Sequence, residues 1–310
     1  MNYILLVVGF VLLIKGADFL VEGSSNIAKF FKIPTIVIGL TLVAFGTSAP
    51  EAAVSITASL KNSSELSVAN IIGSNMINLL LILSITSLIK PIKTTKKVVS
   101  KDYFISIFSV LLLLDLIVLN YLFAKHLLLG RMSGIVLLFV LFTYVFSLVK
   151  YIDKKELEVE KRNFSIKDVF FVIGGLVLVV LGGEMTVNNA IYIAKSWGFS
   201  EAFIGLTIVA FGTSLPELCT SVMAAFKGEN EIAIGNIIGS NIFNILFILG
   251  ISSIIKPLQV SFFSLIDIVL LIVCSYVVLL VVFNDQRISR RDALFMLFIY
   301  SLYFLYIFWR

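Results

Sequence analysis

The sequence predicts an all-α membrane protein: ten transmembrane helices in two inverted five-helix repeats, with both termini outside. Three observations carry this. Of the 310 residues 59% are hydrophobic and only 14% charged, with a mean hydropathy of +1.07; a soluble domain of this length needs far more polar surface. Ten apolar segments each approach or exceed the roughly 20 residues that cross a bilayer. A long motif also occurs twice: Glu51 recurs as Glu217 and Asn78 as Asn244, 166 positions on in each case.

The expected spans run as follows. The first, 2–24, has no charged stretch ahead of it, carries Lys15 toward its far end and is followed by no A-x-A site, so it reads as a retained helix rather than a signal peptide. The second (35–60) and third (66–88) contain the motif. The fourth and fifth, 103–123 and 127–148, are unbroken apolar runs, with the single histidine, His126, in an outer loop. A polar link over 150–167, rich in Lys and Glu, separates a first repeat (1–149) from a second (168–310). The second repeat holds spans 168–192, 202–226, 231–255, 260–283 and 292–308. In the last of these Tyr300, Tyr303, Tyr306 and Trp309 suit packing and an interfacial belt. No room is left for a separate soluble domain.

The charge pattern orients the spans. Lys29 and Lys32, Lys90 to Lys101, Lys150 to Lys167, Lys227, and Arg287 to Arg291 all fall on one side of a ten-span chain. The other side holds only Lys61, Lys125, Arg131, Lys195, Lys256 and Arg310. The positive-inside rule puts the first set in the cytoplasm. The net charge of +5 is then a topological signal, and no nucleic-acid partner is expected. Cys219 and Cys274 fall inside spans as packing residues and imply no disulfide.

The repeat is close. IGLTLVAFGTSAPE (Ile38 to Glu51) returns as IGLTIVAFGTSLPE (Ile204 to Glu217) with two differences, and NIIGSNMIN (Asn70 to Asn78) as NIIGSNIFN (Asn236 to Asn244). The two motif regions, 38–91 and 204–257, still agree at Lys90-Pro91 and Lys256-Pro257. Five spans per half is an odd number, so the second copy enters the membrane from the opposite side. That architecture suits a transporter with a site at the midplane between its repeats.

Glu51 and Glu217 lie deep in the second and seventh spans, where a charge costs about 2.5–3.5 kcal/mol. Each follows a proline, so Pro50 and Pro216 are expected to free the carbonyls of Gly46 and Gly212. Thr47 with Glu51, Thr213 with Glu217, Ser74 with Asn78, and Ser240 with Asn244 are each four residues apart on one helix face. The set is hydroxyl, amide, carbonyl and carboxylate oxygen, with no thiolate and no imidazole. All-oxygen sites suit hard cations. Two glutamates balance one Ca²⁺ in formal charge, and the same oxygens could instead hold several Na⁺.

The ordinary alternatives are local. A membrane serine or threonine usually bonds a carbonyl of its own helix, and the motif glycines also allow close helix contact. Neither accounts for two glutamates in the same proline-broken, hydroxyl-rich motif. Lys15 and Asp18, three apart, are expected to pair or snorkel, and Glu184 is the repeat counterpart of Asp18. Glu22, Asp115 and Asp267 have no acidic counterparts. No nucleophile–base set, phosphate loop or His/Cys metal motif occurs, so no enzyme activity and no cofactor are expected.

At GTSAPE with GSNMIN, and GTSLPE with GSNIFN, the chain resembles the cation/calcium exchanger superfamily, most closely its prokaryotic sodium/calcium exchanger branch. The resemblance implies a calcium site centred on Glu51 and Glu217, with Thr47 and Thr213 contributing largely backbone oxygens. It implies sodium sites using Ser48, Ser74, Asn78, Ser214, Ser240 and Asn244, plus the backbone oxygens of Ala44 and Ala210. It also implies that the first and sixth spans slide across the other eight. The proton-coupled branch reads GNxxE, so GTSxPE favours sodium. Asn244 in place of an aspartate argues against potassium dependence, and the link is too short for calcium-sensing domains. The expected protein is a multi-pass antiporter of the cell membrane that extrudes Ca²⁺ against Na⁺, three Na⁺ for one Ca²⁺, with Ca²⁺, Na⁺ and lipid as its partners. A monomer is compatible with that function. H⁺/Ca²⁺ and K⁺-dependent exchange are the nearest alternatives; a channel, an enzyme or a scaffold leaves the repeat unexplained.

Overall fold

Without water in the bilayer core, every backbone polar group there must be paired within its own segment, so apolar runs of this length coil. The computed structural model describes residues 1–61, 63–93, 98–150, 165–198, 210–285 and 287–309. These form α1 (Asn2–Phe31), α2 (Thr35–Thr47), α3 (Ala49–Leu60), α4 (Ser64–Ile89), α5 (Phe104–Ala124), α6 (Arg131–Lys150), α7 (Ile166–Ser196), α8 (Ala210–Thr213), α9 (Leu215–Lys227), α10 (Asn230–Ile255), α11 (Phe262–Asp285) and α12 (Arg290–Trp309). Among the described residues 8 helices are long and apolar enough to cross a membrane, or 9 when the bent pair α2 and α3 is one span. Most of the expected link (150–167), the start of the span expected over 202–226, with motif residues 204–209, and Lys96, Lys97, Lys154, Lys155, Lys161, Arg162 and Arg310 lie outside the described residues.

The helix ends follow local chemistry. α1 stops at Lys32, which is left-handed (φ 53°), and Ile33 N–H closes back on Ala28 O at 2.9 Å. Pro34 then starts α2. α9 ends the same way at Gly228 (φ 83°), with Glu229 N–H on Ala224 O at 2.9 Å. Two short ladders do not follow from the sequence, being too brief to show alternation. β1 (Ile92–Lys93) pairs with β4 (Arg287–Ile288), and β2 (Leu128–Leu129) with β3 (Leu258–Gln259), both antiparallel. The second ladder is why the spans expected from 127 and 260 begin at Arg131 and Phe262. Each ladder ties a loop of one half to a loop of the other.

α4 and α10 are the most buried spans and form the centre. Ile71, Ile72, Met76 and Leu80 of α4 and Ile237, Ile242, Leu246 and Leu249 of α10 share one core, joined by Ile107, Leu113 and Ile117 of α5. Phe10, Phe139, Phe142, Phe170, Leu280 and Phe298 are exposed on the outer helices, where a bilayer rather than water suits them. α2 crosses to the other half: a Cβ on Gly239 of α10 would lie 2.7 Å from Leu40 O.

α1 and α7 run antiparallel and touch backbone to backbone. A Cβ on Gly16 would lie 2.7 Å from Val179 N and 2.9 Å from Gly175 O; one on Gly182 would lie 2.7 Å from Leu13 N. Small residues are what allow membrane helices this approach. Gly16→Ala therefore has to push the two helices apart, and we expect a loss of about 1–3 kcal/mol, the usual scale of overpacking. Thermal unfolding of the detergent-solubilised protein checks it; an unchanged midpoint overturns the close contact.

Candidate cation site

The chain leaves the helix at Ser48 (φ −81°, ψ 9°) and at Ser214 (φ −89°, ψ 6°), and α2 and α3 meet at a bend of 50°. The break thus falls two residues before each proline. Pro50 and Pro216 sit in the first turn of α3 and α9, where a missing N–H costs nothing. A proline ends the preceding helix at or before the residue ahead of it, so the break lies where Pro50 and Pro216 act on the chain. Glu51 and Glu217 follow in the same first turns, each fully buried. A helix N-terminus favours a carboxylate there.

The two glutamates are held by hydroxyls of the opposite half. Ser48 Oγ donates to Glu217 Oε1 at 2.9 Å, and Ser214 Oγ donates to Glu51 Oε1 at 3.1 Å. Ser74 Oγ reaches Glu51 Oε1 and Ser240 Oγ reaches Glu217 Oε1, both at 3.5 Å. In each carboxylate Oε1 is therefore occupied, while Oε2 is buried without a hydrogen-bond partner. No Lys, Arg or His pairs with either among the described residues.

The amides show the same division. α4 and α10 widen into π turns over Ile77–Ile82 and Asn244–Leu249, at Asn78 and Asn244; such turns often mark functional positions. Asn78 Nδ2 donates to Asn241 Oδ1 at 3.1 Å, and Asn244 Nδ2 donates to Asn75 Oδ1 at 2.9 Å. Asn75 Nδ2 donates to Asn241 O at 3.1 Å, and Asn241 Nδ2 returns to Asn75 O at 3.5 Å. The Oδ1 atoms of Asn78 and Asn244 are left buried without partners. Four buried oxygens in two matched pairs thus lack donors. Buried acceptors without partners are rare, and each needs an explanation.

The remaining expected residues surround this set. Thr47 Oγ1 lies 3.0 Å from Asn236 Oδ1 and 3.3 Å from Ala44 O, so its hydroxyl turns across to α10 rather than along its own helix to Glu51. Ala44 O also accepts from Ser48 N–H at 3.1 Å. Thr213 is buried, and Ala210 opens α8. Asn236 Nδ2 donates to Ser221 Oγ at 3.0 Å, and Asn70 Nδ2 to Ser55 Oγ, also at 3.0 Å. Among the described residues no three His, Cys, Asp or Glu side chains gather, so the oxygens other than the two carboxylates are neutral. That mixture fits a hard cation of low total charge.

A family model for the sodium/calcium exchanger protein matches residues 1–150 and 167–309. The chain belongs to the sodium/calcium exchanger family. Sodium/calcium exchanger MaX1 of Methanosarcina acetivorans is 31% identical over 99% of this chain and 99% of its own length. The putative antiporter CaxA of Alkalimonas amylolytica is 40% identical over 82% of this chain and 81% of its own. The solved sodium–calcium exchanger NCX_Mj superposes with a TM-score of 0.84 at 31% identity, over 97% of each chain. This sodium/calcium exchanger family member therefore has that all-helical membrane fold and is a multi-pass protein of the cell membrane.

Four residues of the network were absent from the sequence-based site: Asn75, Asn241, Asn70 and Asn236. All four recur at the same offset inside NIIGSN, so the signal was present. Asp18 is a further correction. It pairs with Lys227, 2.5 Å away on α9, rather than with Lys15.

Proposed function

We propose that this protein is a sodium/calcium antiporter that extrudes Ca²⁺ in exchange for Na⁺ entering down its gradient, by alternating access, with about three Na⁺ per Ca²⁺ and hence one net charge per cycle. The observation that carries this reading is the set of four buried, unpartnered oxygens on Glu51, Glu217, Asn78 and Asn244. The two carboxylates neutralise one Ca²⁺ with no further charge. Na⁺ competes for the same oxygens and for the hydroxyls of Ser48, Ser74, Ser214 and Ser240, with Thr47, Thr213 and the carbonyls of Ala44 and Ala210 completing the shell. Exchange follows because two bare carboxylates are costly to carry through a closed state. The names of the exchangers MaX1 and NCX_Mj favour the same pair of ions.

The architecture we propose for it has ten spans in two inverted repeats (1–149 and 168–310), with the α2–α3 pair and its counterpart ending in α9 as one span each and both termini outside. The crossed bonds Ser48–Glu217 and Ser214–Glu51 support the inversion, since each half completes the site of the other. α1 and α7, joined backbone to backbone, are suited to move as one unit against the rest. The test is Ca²⁺ uptake into proteoliposomes loaded with Na⁺, set against a proton gradient and no gradient. With three Na⁺ leaving for each Ca²⁺ that enters, each cycle carries one positive charge out, so uptake is expected only with the outward Na⁺ gradient, slowed by an inside-negative potential and accelerated by an inside-positive one. Uptake driven by protons alone overturns sodium coupling, and indifference to potential overturns the net charge.

A further inference from the structure

The offset that matches the sites also matches two pairs of side chains away from them. Asp18 of α1 corresponds to Glu184 of α7, Glu22 to Asn188, and Lys227 at the end of α9 to Lys61 at the end of α3. The two groups differ in this structure. Between α1 and α9 the contact is shut: Lys227 Nζ lies 2.5 Å from Asp18 Oδ1 and 3.3 Å from Glu22 Oε2, and Ala17 and Val21, next to these carboxylates in the chain, are buried. Between α7 and α3 a cavity of about 570 Å³ opens instead, lined by Pro50, Ala53, Glu184, Asn188 and Thr213 among others. Among the described residues neither Lys61 nor Glu184 forms an ion pair.

Glu184 is also out of place for a lipid-facing residue. It is exposed, yet lies three residues from the middle of the 31-residue α7, about 5 Å along the axis. A carboxylate at that depth belongs in a water-filled cavity. The same cavity reaches Thr213 and Pro50, which flank the buried glutamates.

We infer that this cavity is the aqueous approach to the oxygen site and that Lys61 and Glu184, with Asn188, are the latch that closes it, the counterpart of Lys227 with Asp18 and Glu22. The inference rests on the alternating-access reading: the two latches close in turn. When α7 closes on α3, Glu184 loses water and the Lys61 ammonium replaces it; when α1 parts from α9, Asp18 and Glu22 regain water. The latches are unequal, because Asn188 stands where the other has Glu22. The Lys61 latch has one carboxylate fewer, so the cavity side is the more easily opened.

The test reads accessibility apart from transport. In a Cys219→Ser/Cys274→Ser background, Ala53→Cys places one thiol on the cavity, and a membrane-impermeant maleimide measures its labelling in proteoliposomes. Asn188→Glu strengthens the latch and is expected to slow labelling by about threefold or more, the scale of a partly exposed ion pair. Lys61→Glu sets like charges together and is expected to speed it. The exchange Lys61→Glu/Glu184→Lys is expected to return labelling and Ca²⁺ flux to within about twofold of the parent. A double variant no better than Lys61→Glu, or labelling unmoved across the series, overturns the latch. Labelling that follows the charges in a protein without Na⁺-driven Ca²⁺ flux keeps the latch and removes the ion assignment instead.

Discussion

Glu217→Gln lowers Ca²⁺ flux by about 10²-fold or more while the protein stays folded, and Glu51→Gln does the same. The carboxylate of Glu217 is anchored through Oε1 by Ser48 and Ser240, which leaves Oε2 buried and without a donor. Glutamine keeps the shape but removes one of the two charges that balance the cation, and it turns an N–H₂ donor on whatever the oxygen faced. Stripping a buried charge of its partner costs about 3–5 kcal/mol, and ~2.7 kcal/mol is already a hundredfold. In the ion-free protein glutamine offers the same oxygen acceptor to Ser48 and Ser240 and takes away a buried charge that no basic side chain offsets among the described residues. The ion-free melting temperature should therefore be equal or higher, while the stabilisation by added Ca²⁺ disappears; at about 100 times Kd that stabilisation is ~2.7 kcal/mol in the parent. Near-normal flux in both variants removes the glutamates from the site.

The sequence was informative about this site where chemistry is local and repeated. Glu51 and Glu217, the serines and the two asparagines Asn78 and Asn244 are visible because each recurs in the same motif at a depth where polarity is costly. It was uninformative about which helix a side chain faces. Spacing put Thr47 on a face with Glu51, but the break at Ser48 turns the chain, and Thr47 meets Asn236 while Ser48 reaches Glu217. Asp18 had a lysine three residues away and instead takes one 209 residues on. Asn75 escaped for a related reason. One position past Ser74 it points about 100° round the helix, off the face that i, i+4 counting selects, and toward α10.

Asn75 carries the second large effect, and it separates scaffold from ligand. Its amide donates to Asn241 O at 3.1 Å and accepts from Asn244 Nδ2 at 2.9 Å, with the whole side chain buried. Asn75→Ala removes both bonds: it leaves the buried N–H₂ of Asn244 unpaired, at about 1–3 kcal/mol, and takes the second donor from Asn241 O, which keeps its bond from Asn244 N–H, at about 0.5–1.5 kcal/mol. A destabilisation of about 1.5–4.5 kcal/mol is expected with or without ions, seen as a fall in the melting temperature of the ion-free protein. Asn244→Ala behaves differently. Asn244 Oδ1 has no donor to lose, so the variant strands only Asn75 Oδ1 and removes an oxygen from the cation shell. Its ion-free melting temperature should fall less, and its main cost should be a higher ion concentration for half-maximal flux. The two variants thus divide one hydrogen bond between its roles, because Asn75 holds Asn244 in place and Asn244 holds the ion. If Asn75→Ala melts like the parent and shifts only the ion dependence, Asn75 is a ligand and the buried amide network is not what orients Asn244.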